Sequence, residues 1–305
     1  MAKRKAVEKL WREHESGIVI PDGFASDTSF DSSETYLAVK EKALEIERLY
    51  ADNGVPLTAT SDLAGLISDA KLLSDSWLMG QAEKHPMTLL FRTGLLDRIA
   101  DTLLLLSDVP DRAQFLEMVT SGSLNLLART RSKAKDTLWE LELWAILRRR
   151  SFAATLKEPP DIVVSFAESQ IGIACKKIYS EKHVQNVLSQ AVGQIESAFD
   201  IGIVAINIDD LVPADQILRT PTHETLSQYV SDLNKRFLTT HERHFRKYLA
   251  SGRVISAIVS TSVLADVFQA QPRFNHARQS TVWTIPGLPA EKDRQLRNFY
   301  ELLMA

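Results

Sequence analysis

The chain has 305 residues, with Lys plus Arg at 36, Asp plus Glu at 39 and a formal net charge of -3. That length gives one large domain or two modest ones, and no global charge announces a nucleic-acid partner. The single cysteine, Cys175, excludes a disulfide scaffold, and no apolar run approaches the roughly 18 residues of a membrane span. The basic start Met-Ala-Lys-Arg-Lys runs into polar sequence and is unlike a secretory leader, so the expected compartment is the cytoplasm.

In chain order, residues 5–14 read as a short charged helix, and 16–33, rich in Gly, Ser, Asp and Pro, as loop. A helix over about 34–53 follows and is stopped by Gly54 and Pro56. Ser61-Asp62 caps the next, to about 83. Pro86 opens a Leu-rich helix ending near 107, and Asp108-Val109-Pro110-Asp111 starts a short one to 120. A long helical stretch then runs from 123 to Arg150. Short runs rich in Val and Ile at 152–156, 161–166, 171–178, 202–208 and 253–260 read as buried strands, and 281–285 as a last one. Helices over 181–199 and 223–250 separate the later runs, and 291–303 closes the chain. The expected organisation is a helical region, 1–122, before an α/β region, 123–305. Strands joined by short loops imply an antiparallel meander, and strands separated by helices imply parallel pairing. The expected class is therefore α/β, with a mixed central sheet flanked by helices.

Asp161 follows Pro159-Pro160 at the start of one strand, and Ala174-Cys175-Lys176-Lys177 ends the next. A tight turn between the two strands would set these ends side by side. A carboxylate and a lysine there suit metal-assisted phosphodiester hydrolysis. The carboxylate binds a hard divalent cation, and the lysine positions the attacking water and offsets charge on the phosphate.

Pro160-Asp161 and Ala174-Cys175-Lys176 lie between helix 136–150 (DTLWELELWAILRRR) and a helix bearing Gln190-Ala-Val-Gly-Gln194. Over about 133–210 this pattern resembles the PD-(D/E)xK nuclease superfamily, which has the restriction-endonuclease-like fold. The resemblance implies a metal-dependent endonuclease acting on DNA rather than RNA, with Mg²⁺ or Mn²⁺ as cofactor, in antiviral defence or DNA repair. It implies Asp161 and position 174 as the metal-binding acids, joined by the Cys175 carbonyl, and Lys176 as the catalytic lysine. Glu140, ahead of Glu142, and Gln194 are its further site residues. The sequence departs from the pattern at Ala174, where the superfamily has Asp or Glu. One carboxylate is a weak anchor for Mg²⁺, so the expected site is impaired. Three origins stay open: natural loss of activity, an acid supplied from elsewhere, or a deliberate substitution. Retention of Asp161, Lys176, Gln194 and a helix glutamate favours the last. Ala174→Glu is then expected to create or restore cleavage.

Lys176 and Lys177 alternate faces, and Lys176 is expected to point into the site. Arg148, Arg149, Arg150 and Lys177 are the expected phosphate contacts, and Lys235, Arg236, Arg243, Arg246 and Lys247 form a second basic cluster. His241 and His244 lack a third ligand at useful spacing and read as a solvated face. Asp209-Asp210 reads as a loop or cap, and Cys175 as a small buried hydrophobe. The N-terminal helices would select substrate, build a homo-oligomer or recruit a protein partner. Two other functions fit the same residues: a non-catalytic nuclease-fold subunit that binds nucleic acid or a protein, and a helical scaffold with an incidental α/β tail.

Overall fold

A computed structural model describes residues 12–13, 19–20, 36–81, 86–166, 169–213, 217–270, 274–285 and 287–304. Most of the expected helix at 5–14 and the loop at 16–33 lie outside them. Arg12–Glu13 (β1) and Val19–Ile20 (β2) pair antiparallel.

Four helices come first: α1 (Tyr36–Asp52), α2 (Asp62–Leu78), α3 (Met87–Leu104) and α4 (Arg112–Thr120), with one 3-10 turn at Leu105–Asp108 after α3. On α1, Val39, Ala43, Ile46 and Tyr50 are buried, the spacing of a single helix face. Ser61 caps α2, its side chain accepting from the Ala64 N–H at 3.2 Å. Lys42 of α1 sits between Asp97 and Asp101 of α3, at 2.8 and 2.7 Å.

Helix α5 (Lys133–Arg149) begins later than the sequence suggests. The Asn125 side chain accepts from the Leu127 and Ala128 N–H groups at 3.1 and 3.2 Å. That local turn competes with helix, as Asn side chains do.

The remaining elements are β3 (Ala153–Leu156), β4 (Ile162–Phe166), β5 (Ser169–Lys177), α6 (Val184–Glu196), β6 (Gly202–Asn207), β7 (Leu218–Thr220), α7 (His223–Ala250), β8 (Ser256–Val267), β9 (Phe274–Trp283) and α8 (Ala290–Met304). They build a seven-stranded mixed sheet of order β3-β4-β5-β6-β8-β7, with β9 also on β8. As expected, β3, β4 and β5 form an antiparallel meander, and β5, β6 and β8 run parallel. β8 and β9 extend beyond the expected runs because polar residues occupy their middles. Thr261 donates to Asn234 Oδ1 of α7 at 2.6 Å, and Ser280 and Ser260 pair at 3.1 Å. Such bonds satisfy polar groups in a buried sheet. β7 is too short to stand out in a sequence.

The sheet separates two packed layers. Ile171, Ile173, Cys175, Ile203 and Ala205 face α5, and their core continues through α1 and α3 to Phe299 and Tyr300 of α8. Ala174, Val204 and Ile206 face α6 and α7 on the other side. α6 lies so close to the sheet that a Cβ on Gly202 would stand 2.2 Å from Ile195 Cγ2, so only glycine fits there. No helix among the described residues is long and apolar enough to cross a membrane.

Candidate active site

The last paired rung between β4 and β5 is Ile162–Ile173. One step further, the register sets Asp161 against Ala174. Asp161 does not continue the ladder with its backbone. Its Oδ2 instead accepts the Cys175 N–H at 2.5 Å, and Lys176 Nζ lies 3.7 Å from the same oxygen. The N–H and carbonyl of one strand residue point to the same side, so the Cys175 carbonyl also turns toward the Asp161 edge. Asp161, position 174 and Lys176 thus meet at one end of the sheet, as the motif requires.

Two further carboxylates reach the same strand end as Asp161. The Lys157 N–H donates to the Asp161 carbonyl at 3.0 Å and closes the Lys157–Asp161 segment into a loop. That loop carries the exposed Glu158 back over the strand end. Glu140 of α5 reaches the same point. Carboxylate oxygens of Glu140, Glu158 and Asp161 all lie within 4.8 Å of one another. Glu158 was not singled out from the sequence. Its one signal was position: an acid just ahead of Pro159-Pro160-Asp161.

The electrostatics follow from this crowding. Burial, then the charges of Asp161 and Glu158, push the Glu140 carboxyl up to about 8, against a smaller opposing pull from Lys176. Burial pushes Asp161 up to about 6, partly offset by Lys176 and by the Cys175 N–H. Like charges this close favour one shared proton or a cation. The donor set is all oxygen, which suits a hard divalent ion such as Mg²⁺ or Mn²⁺. Glu140, Glu158, Asp161 and the Cys175 carbonyl are the groups that could hold it.

Asp136, one turn before Glu140 on α5, accepts from Tyr179 Oη at 2.8 Å, and the same hydroxyl oxygen accepts the Ser132 N–H at 3.4 Å. This pair anchors the start of α5 to the end of β5. Tyr179→Phe should lower stability by about 1 kcal/mol, measured by urea unfolding, because it removes two hydrogen bonds without a large cavity.

Other expected site residues lie elsewhere. Lys177 is a correction: its side chain is 3% exposed and is bound on the opposite face by Asp210 at 2.8 Å and by Asn207. It is unavailable to a phosphate. Its partners make Asp209 and Asp210 members of a buried ionic network rather than a simple loop or cap. Glu142 belongs to that network too, gripped by Arg98 and Arg278 and held well below the usual carboxylate range by them.

Arg148, Arg149 and Arg150 close α5 and lead into the start of β3. The pair Ala153–Ser165 lies there, at the opposite end of the meander from Leu156–Ile162 and Asp161. Arg149 donates to the Asp101 carbonyl at 3.0 Å. Gln194 sits beside Ile195, which packs on Gly202; Gly202 pairs with Gly172, toward the start of β5. The Gln194 Oε1 is buried without a protein partner, and no hydrogen bond among the described residues joins Gln194 to the acids. Cys175 is buried as expected, and burial pushes its thiol up well above the usual range.

No model of a known protein family matches the chain, and no curated protein matches it.

Proposed function

We propose that the chain is a metal-dependent nuclease of the PD-(D/E)xK type, acting on DNA, with a complete rather than impaired site. The carrying observation is the meeting of Glu140, Glu158 and Asp161 beside Lys176. Glu158 takes the part of the acid that Ala174 lacks, so an acid supplied from elsewhere accounts for this sequence better than a deliberate substitution. The antiparallel meander followed by parallel strands, with α5 and α6 on opposite faces, is compatible with a restriction-endonuclease-like core.

When bound, a divalent cation would supply Lewis acidity and a water of lowered pKa. The chain's own groups do the rest. Asp161, fixed by the Cys175 N–H, holds its carboxylate at the strand end. Glu140 and Glu158 close the oxygen cage from α5 and from the loop. Lys176, 21% exposed at its side chain, reaches solvent from this cage. It can orient an attacking water and neutralise charge that develops on a phosphate.

The test is cleavage of plasmid, linear and single-stranded DNA, and of RNA, by the purified chain with Mg²⁺ or Mn²⁺. Metal-dependent DNA cleavage that EDTA stops and Lys176→Ala removes is expected. A wild-type chain that binds Mn²⁺ yet cuts none of these substrates, alone or with co-purified partners, would sink the nuclease proposal and leave a non-catalytic subunit.

A further inference from the structure

Lys176 shares its face of β5 with Ala174, because side chains alternate along a strand. That is the face covered by α6 and α7. A 3-10 turn, Glu181–His183, leads from β5 into α6, and Glu181 Oε2 lies 3.3 Å from His241 Nε2 of α7. The turn therefore joins the sheet end that holds the acids to the middle of α7. Lys182 and His183 are exposed on it.

The second half of α7 is basic on its outer side. From Lys235 to Ala250 it carries Lys235, Arg236, Arg243, Arg246 and Lys247 against Glu242 alone. Glu242 is taken by Arg246 within the helix, at 3.0 Å. The neighbouring acids are engaged as well. Glu196 of α6 is held by Arg253, and Asp232, one turn before Lys235, accepts from Gln228 at 2.8 Å. On α8, where Lys292 reaches the Gly252 carbonyl, Glu291 and Asp293 pair with Arg294 and Arg297. Among the described residues, no acid forms an ion pair with Lys235, Arg236, Arg243 or Lys247. Arg236, Thr240, Arg243 and Lys247 are all exposed, and their spacing sets them along one stripe of the helix. The stripe is about 16 Å long at 1.5 Å per residue. That length spans about five phosphates of one DNA strand at 3.4 Å each.

The same face has no apolar anchors. Among the described residues, no large apolar side chain stands exposed on α6 or between Lys235 and Ala250. A protein partner is held by buried aromatic anchors, and a membrane surface by an apolar helix face. Cations and hydroxyls without either suit a phosphate backbone, which is gripped by charge and hydrogen bonds. Between this stripe and Lys176, the exposed side chains Gln185, Asn186, Ser189 and Gln190 of α6 are uncharged and repel no phosphate.

We infer that a nucleic-acid backbone lies along α7 and passes Lys182 to reach the acids beside Lys176. The role at the acidic end rests on the nuclease reading; the grip of α7 on phosphates does not.

The test is fluorescence anisotropy of a labelled 30-base-pair DNA with the full chain in EDTA, from 50 to 300 mM salt. Single-stranded DNA and double-stranded RNA are run alongside to separate the sources of the backbone. Wild type should bind the duplex with a Kd below about 10 μM at 50 mM salt. The exposed triple variant Arg236→Gln, Arg243→Gln, Lys247→Gln should bind at least about tenfold more weakly, and its log–log salt slope should fall by about 3. Thr240→Glu, one negative charge inside the stripe, should weaken binding at least about fivefold. A charge-matched control on α1 and α8, Arg48→Gln, Arg294→Gln, Arg297→Gln, should stay within about threefold of wild type. Wild type that binds no nucleic acid at 50 mM salt overturns the inference. So does a folded α7 triple variant with wild-type affinity and slope, a control that loses as much, or polyglutamate that competes as well as DNA. Cleavage in Mn²⁺ is read separately. Binding that depends on α7 without any cleavage sinks the nuclease reading alone, and Lys176-dependent cleavage with binding indifferent to α7 sinks this inference alone.

Discussion

Replacing Glu158 with Ala is expected to lower Mn²⁺ affinity by more than about 100-fold, beyond the loss usual for an outer-sphere partner. DNA cleavage should be lost with it. The exposed loop position of Glu158 makes the substitution harmless to packing, so a loss would report on the site and not on the fold. The expectation rests on the three-carboxylate cluster, in which Glu158 is the exposed member. Ala174→Glu in the Glu158→Ala background should return part of both activities, because position 174 stands across from Asp161 at the strand end. Ala174 is fully buried in the core between the sheet and α6 and α7, and a larger side chain costs roughly 1–3 kcal/mol of overpacking. Rescue should therefore be partial, and circular dichroism should confirm that the double variant folds. Metal affinity is read by calorimetry and cleavage by gel. If Glu158→Ala keeps its metal, the displaced acid is disproved. If the folded double variant binds no better than the single one, position 174 does not face the cage.

The meeting of Asp161 with Lys176 was legible in the sequence because it depends on short-range facts. Two β-rich runs joined by a tight turn must pair, and pairing puts the start of one beside the end of the other. The contribution of Glu140 was legible for a related reason, since α5 leads directly into the meander. Glu158 was not, because it lies in an irregular segment beside two prolines, where no periodicity says which way a side chain points. The fate of Lys177 was hidden for the opposite reason. Alternation along β5 puts it on the other face from Lys176, but its partner Asp210 arrives only after α6 and β6. Long-range ion pairs of this kind leave no local pattern. The extent of β8 and β9 was obscured by their own chemistry: Thr261, Arg278 and Gln279 carry no apolar strand pattern, and only Asn234 and neighbouring strands supply their partners.

Without a divalent cation, the protein is expected to lose stability as pH rises from about 5 to about 8. The sign follows from the raised carboxyls. Glu140 moves from an ordinary 4.5 up to about 8, and Asp161 from 3.8 up to about 6. Over that interval the folded chain holds protons that the unfolded chain has released. The contribution to stability is thus full below the unfolded values and falls as pH climbs through the folded ones. Glu140→Gln removes the larger part. At pH 8 the metal-free variant should be more stable than wild type, on the order of 1–2 kcal/mol after solvent screening at this partly exposed carboxyl, or a few degrees in Tm. Its remaining loss of stability should be confined to pH below about 6, where Asp161 titrates. Saturating Mn²⁺ should raise the wild-type Tm most at high pH, because binding must displace the retained protons. The variant should gain far less from the metal at any pH. The measurement is thermal unfolding at pH 5, 6, 7 and 8, with EDTA or with Mn²⁺. A Glu140→Gln chain that is less stable than wild type at pH 8 in EDTA, or that keeps the full wild-type slope, would show that Glu140 is comfortable where it stands. The repulsion that makes the cluster a cation site would then be absent.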